Sequence, residues 1–135
     1  MARRKKGRKV HGWLVIDKPA GLPVHPSASY HRHTLTAVMR GRLGAGHGWQ
    51  MAHRLDRETS GVMVFALTRD AQKALGQQFE RKQVQKTYVA RISGQPIENS
   101  GTVDLPLIVD WPNRPKHMVC HDTGKPAQTD WRVVD

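Results

Sequence analysis

The sequence predicts an α+β fold built on a mixed or mainly antiparallel sheet with flanking helices and long loops. Three observations carry this. Residues 61–68, GVMVFALT, form a short apolar run of β-branched type, as a buried strand requires. Residues 86–93, KTYVARIS, alternate as a half-buried strand does. Between them lies one amphipathic stretch at helical spacing, and no strand–helix repeat indicates a doubly wound parallel sheet.

In chain order, Trp13 to Ile16 read as a first strand running into a loop that holds Pro19, Gly21, Pro23 and Pro26. Proline fixes φ and removes a donor, so this loop is stiff and is neither helix nor central strand. Residues 34–43 are weakly helical, with Leu35, Val38 and Met39 at i, i+3 and i+4. GAGHG at 44–48 is punctuation; it lacks the strand–loop–helix setting and the Lys-Ser/Thr of a phosphate loop. After the 61–68 strand, Thr68 or Asp70 caps a helix whose apolar stripe is Ala71, Ala74, Leu75 and Phe79. GQPIENSG at 94–101 is a turn region, and Pro112 and Pro115 end the apolar stretch that starts at Val103. Residues 128–135 read as a last strand with no downstream neighbour to pair with.

Length allows one domain, divided here into a basic tail over 1–12 and a folded portion over 13–135. The net charge is +11, and the first nine residues supply six positive side chains and no acidic one. A basic tail on a basic body points to a polyanionic partner, and nucleic acid is the commonest one in cells. A disordered solubilising arm is the plainer reading of the tail alone. Cys120 is the sole cysteine, which leaves no disulfide framework or thiolate metal cluster. No apolar run approaches a membrane span and no signal peptide is present, so a cytoplasmic setting without membrane contact is expected.

The chemistry-bearing residues read ambiguously one at a time. In HRLDRETSG, at 53–61, Asp56 sits between Arg54 and Arg57. If the segment is extended, Arg54 and Asp56 share one face and Leu55 takes the other. Neighbouring arginines favour an ionised carboxylate, a candidate nucleophile or base. Without further context, a solvated surface ion cluster is the better reading of these residues. His31 and His33, with His25 nearby, lack a third ligand at convincing spacing, and Cys120-His121 is unsupported, so no metal is expected. Ser60 has no nucleophile-elbow context, and Thr59-Ser60-Gly61 reads as a turn. Tyr88 reads as core packing or as a ring on which a base stacks. The four tryptophans are too scattered for a stacking series and read as packing.

In order, these blocks add up. DKPAGLPVHP at 17–26, HRLDRETSGVMVFALT at 53–68 and KTYVARISG at 86–94 strongly resemble the RluA family of pseudouridine synthases. Residues 103–135 are similar to its branch acting on both ribosomal and transfer RNA. The resemblance implies an isomerase that breaks the ribose C1′ to uracil N1 bond, turns the base and rejoins it through C5, with no cofactor or metal. It implies Asp56 as the catalytic carboxylate, either attacking the sugar carbon or assisting elimination of the base. Arg54 becomes the residue inserted into the RNA stack, and Tyr88 the residue against the uracil. His53, Arg57 and Lys86 join Arg54 as RNA-binding positions. The implied partner is a stem-loop of ribosomal or transfer RNA, because flipping a base costs least in a loop.

The family continues into a block with an R-x-H-Q-[IL]-R signature, whose arginine pairs with the catalytic aspartate, and this sequence stops before it. The expectations are weak or absent catalysis by the 135 residues alone and an unpaired edge at 128–135. A monomer is expected of a complete enzyme and self-association of this shorter chain.

Overall fold

The computed structural model describes residues 12–27, 32–44 and 48–134. The basic tail up to residue 11, His31 and the centre of GAGHG lie outside them. The chain divides at Thr87/Tyr88 into two compact units.

The first unit holds a three-stranded antiparallel sheet. Strand β1 (Trp13–Lys18) and the two-residue β2 (Gln50–Met51) flank β3 (Gly61–Ala66), in the order β1-β3-β2. The register pairs Leu14 with Phe65 and Ile16 with Met63, so alternate residues of both strands share one face. On that face Met63 and Phe65 are fully buried against Val24, Leu35, Met39 and Leu55. Helix α1 (Leu35–Leu43) starts at Thr34, whose buried hydroxyl accepts from Ala37 N–H at 3.2 Å. The proline loop completes this cap, since the Pro23 and Val24 carbonyls accept from Leu35 and Thr36 N–H at 2.9 and 3.2 Å. Two more of the orphan amides of a helix start are thereby satisfied. The buried stripe is Leu35 and Met39, with Leu43 against the core; Val38, expected on it, is exposed.

Helix α2 (Arg69–Glu80) packs on β3 and is capped by the Thr68 hydroxyl, with Asp70 in the first turn where the helix dipole favours an anion. Ala71, Leu75 and Phe79 are half-buried, and Ala74 faces solvent.

In the second unit, β4 (Ser100–Asp104) pairs antiparallel with β7 (Gln128–Arg132). The last strand therefore has a neighbour, and it lies upstream. Thr102 donates to Asp130 across this pair at 2.6 Å, and the Trp131 indole lies over Gly101, where an added Cβ would come within 3.0 Å of it. Strands β5 (Leu107–Val109) and β6 (His117–Val119) form a hairpin whose 3-10 turn, Trp111–Asn113, carries Arg114 with its guanidinium 4.6 Å from the Trp111 ring centre.

The expected strand over 86–93 is absent. Those residues pair with no strand among the described residues, and Tyr88, Val89 and Ile92 are 59%, 86% and 62% exposed. Alternation makes a segment fit for a half-buried sheet position, but only a hydrogen-bonded neighbour makes it a strand.

Candidate active site

Segment 53–59 links β2 to β3, and each of its residues has a definite place. Leu55 is 9% exposed and anchors the segment in the core, while Arg54 and Asp56 both face solvent, the division expected of an extended stretch. A turn follows, closed by Thr59 N–H donating to the Asp56 carbonyl at 3.2 Å. Gly61 then starts β3 at φ +121°, a conformation that favours glycine.

The arginines do not clamp Asp56. Arg57 Nε donates to Glu58 Oε1, and among the described residues the Asp56 carboxylate takes part in no ion pair. Two long, exposed side chains one residue apart meet more easily than Arg57 reaches back to a short aspartate. That surface pair is worth at most about 1 kcal/mol.

The turn is held by its backbone. The Arg57 carbonyl accepts from Gly21 N–H at 2.8 Å and from Lys18 Nζ at 3.0 Å. Gly21 has φ +83°, which lets the proline loop present its amide to Arg57. Lys18 is fully buried, and its ammonium also donates to the Pro19 and Leu22 carbonyls at 3.0 and 2.8 Å. Burial pushes its pKa below the usual lysine value, against the opposing charges of Glu58 and Asp56. The strand WLVIDK contained the signal for this residue: Leu14, Ile16 and Lys18 have the same phase, so the alternation that buries the first two also buries the lysine.

His53 contributes to the fold as well as to the exposed segment. Its Nε2 accepts from Val64 N–H at 3.2 Å, and its ring stacks on Phe79 at 4.9 Å and 21°. Burial lowers its pKa below 6.5, the Lys86 charge adds to the lowering, and a backbone hydrogen bond at Arg54 opposes it. Because the folded pKa lies below the unfolded one, the unfolded chain binds the proton more tightly. The stabilisation is complete above about pH 6.5 and is lost as pH falls through the lowered folded value. The urea midpoint of the wild-type protein should fall more steeply between pH 7 and pH 5 than that of His53→Phe, measured by circular dichroism. Parallel pH profiles would refute this linkage.

His53, Arg54, Asp56, Arg57 and Lys86 thus belong to one unit, with Lys86 close enough to bias His53. Tyr88 is exposed and is the first residue of the other unit. Among the described residues no group of three or more His, Cys, Asp or Glu side chains could hold a metal ion. No helix among them is long and apolar enough to cross a membrane.

The sequence and the α+β fold have counterparts among known proteins. The sequence profile described as RNA pseudouridylate synthase matches residues 12–135, and the chain belongs to that family. The dual-specificity RNA pseudouridine synthase RluA of Escherichia coli K12 is 46% identical over 124 residues, which make up 90% of this chain and 55% of that protein. Its counterpart in Yersinia pestis is 42% identical over 122 residues, covering 90% of this chain and 58% of the relative. The chain spans about half the length of the curated relatives it matches. Among solved structures, human RNA pseudouridylate synthase domain containing 4 superposes with a TM-score of 0.63 at 26% identity, over 93% of this chain and 52% of that one. Human RNA pseudouridylate synthase domain containing 1 gives 0.69 at 22% identity, over 91% and 49%, a likeness of fold. The expected family and fold class both hold.

Proposed function

We propose that, within a chain of its relatives' full length, these residues serve to isomerise uridine to pseudouridine in a stem-loop of ribosomal or transfer RNA, in the cytoplasm, with Asp56 as the catalytic carboxylate, and that the 135 residues alone turn over weakly or not at all. The observation that carries this reading is the exposed Asp56 side chain, free of ion pairs among the described residues, on a turn whose backbone is pinned from the proline loop. An exposed carboxylate on a fixed backbone is available to act as nucleophile or base. In the reaction the C1′–N1 bond breaks, the C1′–C5 bond forms, the C5 proton leaves and N1 takes up a proton, so the product is an isomer of the substrate. The change is redox-neutral, so no electron carrier is required. Arg54, planar and exposed, suits insertion into the stack vacated by the flipped base. Arg57, His53 and Lys86 supply positive or polar surface near the same segment, and Tyr88 is the ring assigned to the uracil.

The test is release of tritium from RNA carrying [5-3H]uridine by a chain extended to its relatives' full length, followed by detection of pseudouridine in the digested product. RNA binding without tritium release would overturn the enzymatic reading and leave a basic RNA-binding module. The tail makes a separate, electrostatic contribution. Deleting residues 1–9 removes six positive charges. Full phosphate contact by those charges corresponds to a salt-dependence slope shallower by up to about 4 for single-stranded RNA. An unchanged slope in filter-binding titrations would remove the tail from RNA recognition.

A further inference from the structure

Strand β1 is an edge of the first unit's sheet: it pairs with β3 on one side and, among the described residues, with no strand on the other. Gly12, just before the strand, turns its carbonyl to β3 and accepts from Leu67 N–H at 2.9 Å. Val64, the partner of Val15, turns its groups away from β1. Its carbonyl accepts from Ala52 N–H at 3.0 Å, and its N–H donates to His53 Nε2 at 3.2 Å. Val15 and Val64 are therefore a non-hydrogen-bonded pair. By the alternation of an antiparallel ladder, Leu14 and Ile16 bond to β3, while Trp13, Val15 and Asp17 point N–H and C=O out of the open edge.

Soluble proteins guard an open edge with an outward lysine, a proline or a bulge. Here the lysine of β1, Lys18, is buried, the strand WLVIDK holds no proline, and its register with β3 runs unbroken from Trp13 to Lys18. The outer face is apolar. Trp13 and Val15 are 56% and 46% exposed, and Val62, opposite Asp17 on the same face, is exposed too. On the core face Leu14 and Ile16 pack against the cluster but remain only half-buried, because nothing among the described residues flanks them on the open side.

We propose that β1 is a self-association surface, pairing antiparallel with β1 of a second copy of this chain about a two-fold axis at Val15. Antiparallel pairing of a strand with itself is two-fold symmetric, so the assembly closes as a dimer. With Val15 opposite Val15, Trp13 of each copy lies opposite Asp17 of the other, and every outward N–H and C=O of the strand gains a partner. A slip of two residues leaves one end of β1 without a partner, and a slip of one turns the apolar faces to opposite sides. The same register sets Leu14 against Ile16 of the second copy and covers the open margin of the core. Charge agrees. Asp17 arrives beside Trp13 of the other copy, next to Gly12, where a Cβ would lie 3.2 and 3.3 Å from Thr68 and Ala71 at the start of α2. Exposed Arg69 and Lys73 outnumber Asp70 in that turn, and the helix dipole adds positive charge.

The test is sedimentation equilibrium of the 135-residue protein at about 0.15 M salt, where exposed charges more than about 8 Å apart are screened. A concentration-dependent dimer is expected. Val15→Lys sets two ammonium groups opposite each other at the axis and should raise the dimer Kd at least about tenfold. Val62→Lys, on the same face but on the inner strand, should leave it within about twofold. Wild-type protein gives a second measurement that needs no variant to fold. Between about 20 μM and about 1 mM, amide exchange read by NMR should slow at least about threefold at Trp13, Val15 and Asp17. Leu14 and Ile16, already bonded to β3, should change by less than about 1.5-fold. A monomer at about 1 mM overturns the proposal. So does a dimer that both valine variants weaken equally, or one in which exchange along β1 lacks this alternation.

Discussion

In a chain of its relatives' full length, replacing Asp56 by asparagine should abolish tritium release, by at least about a thousandfold, the scale seen when an essential nucleophile or base is removed. The fold should not change, because the Asp56 side chain is exposed and its structural contact, the carbonyl that accepts from Thr59 N–H, belongs to the backbone. RNA affinity should stay within about threefold and tighten if it moves, since one negative charge near phosphates disappears. Glu58 is the internal control. It lies two residues away, is also exposed, and is paired with Arg57. Glu58→Gln should leave turnover within about twofold, as expected for loss of an exposed ion pair. Equal losses for the two variants would mean that the loop acts through its overall charge and not through one carboxylate. Retained turnover in Asp56→Asn would remove Asp56 from the chemistry.

The parts of this arrangement that were legible in the sequence are those decided locally. GVMVFALT is apolar and β-branched over the length of a strand, and β3 occupies Gly61–Ala66 within it. Thr68 precedes an amphipathic run and caps α2. Leu55 against Arg54 and Asp56 follows from the two-residue repeat of an extended chain. What was not legible depends on partners distant in sequence. The alternation of 86–93 says nothing about whether a neighbouring strand is present. Strands β2 and β6, of two and three residues, are too short to show a period, and their pairing with β3 and β5 defines them. The charge pattern of RLDRE suggested an arginine–aspartate clamp, whereas the hold on the turn comes from Lys18 and Gly21, more than 30 residues upstream. Backbone carbonyls as acceptors leave no trace in side-chain composition, which is why the clamp was invisible even though the phase of β1 placed Lys18 inward.

Phe65→Ala should destabilise the first unit by about 3–5 kcal/mol, the usual cost of deleting a buried phenylalanine ring. Phe65 is fully buried on the central strand, paired with Leu14 on one side and Met51 on the other, and meets the Trp49 ring edge-on at 5.7 Å. Neighbours on both strands and in the covering layer are fixed by their own hydrogen bonds, so the site has little room to collapse and most of the cavity remains. Against a typical total of about 5–15 kcal/mol, such a loss leaves the unit marginal at 25 °C. Val62 provides the contrast. It lies on the same strand but the opposite face, is 64% exposed, and its truncation to alanine should cost within about 0.5 kcal/mol. The comparison also bears on the site, because β3 begins two residues after the Asp56–Thr59 turn and Leu55 packs in the same core as Phe65. A softened core should therefore loosen the Leu55 anchor, and Phe65→Ala should lose turnover on warming before Val62→Ala does. Urea unfolding followed by circular dichroism gives the stabilities. Similar midpoints for the two variants would show that the buried face of β3 has been assigned to the wrong residues.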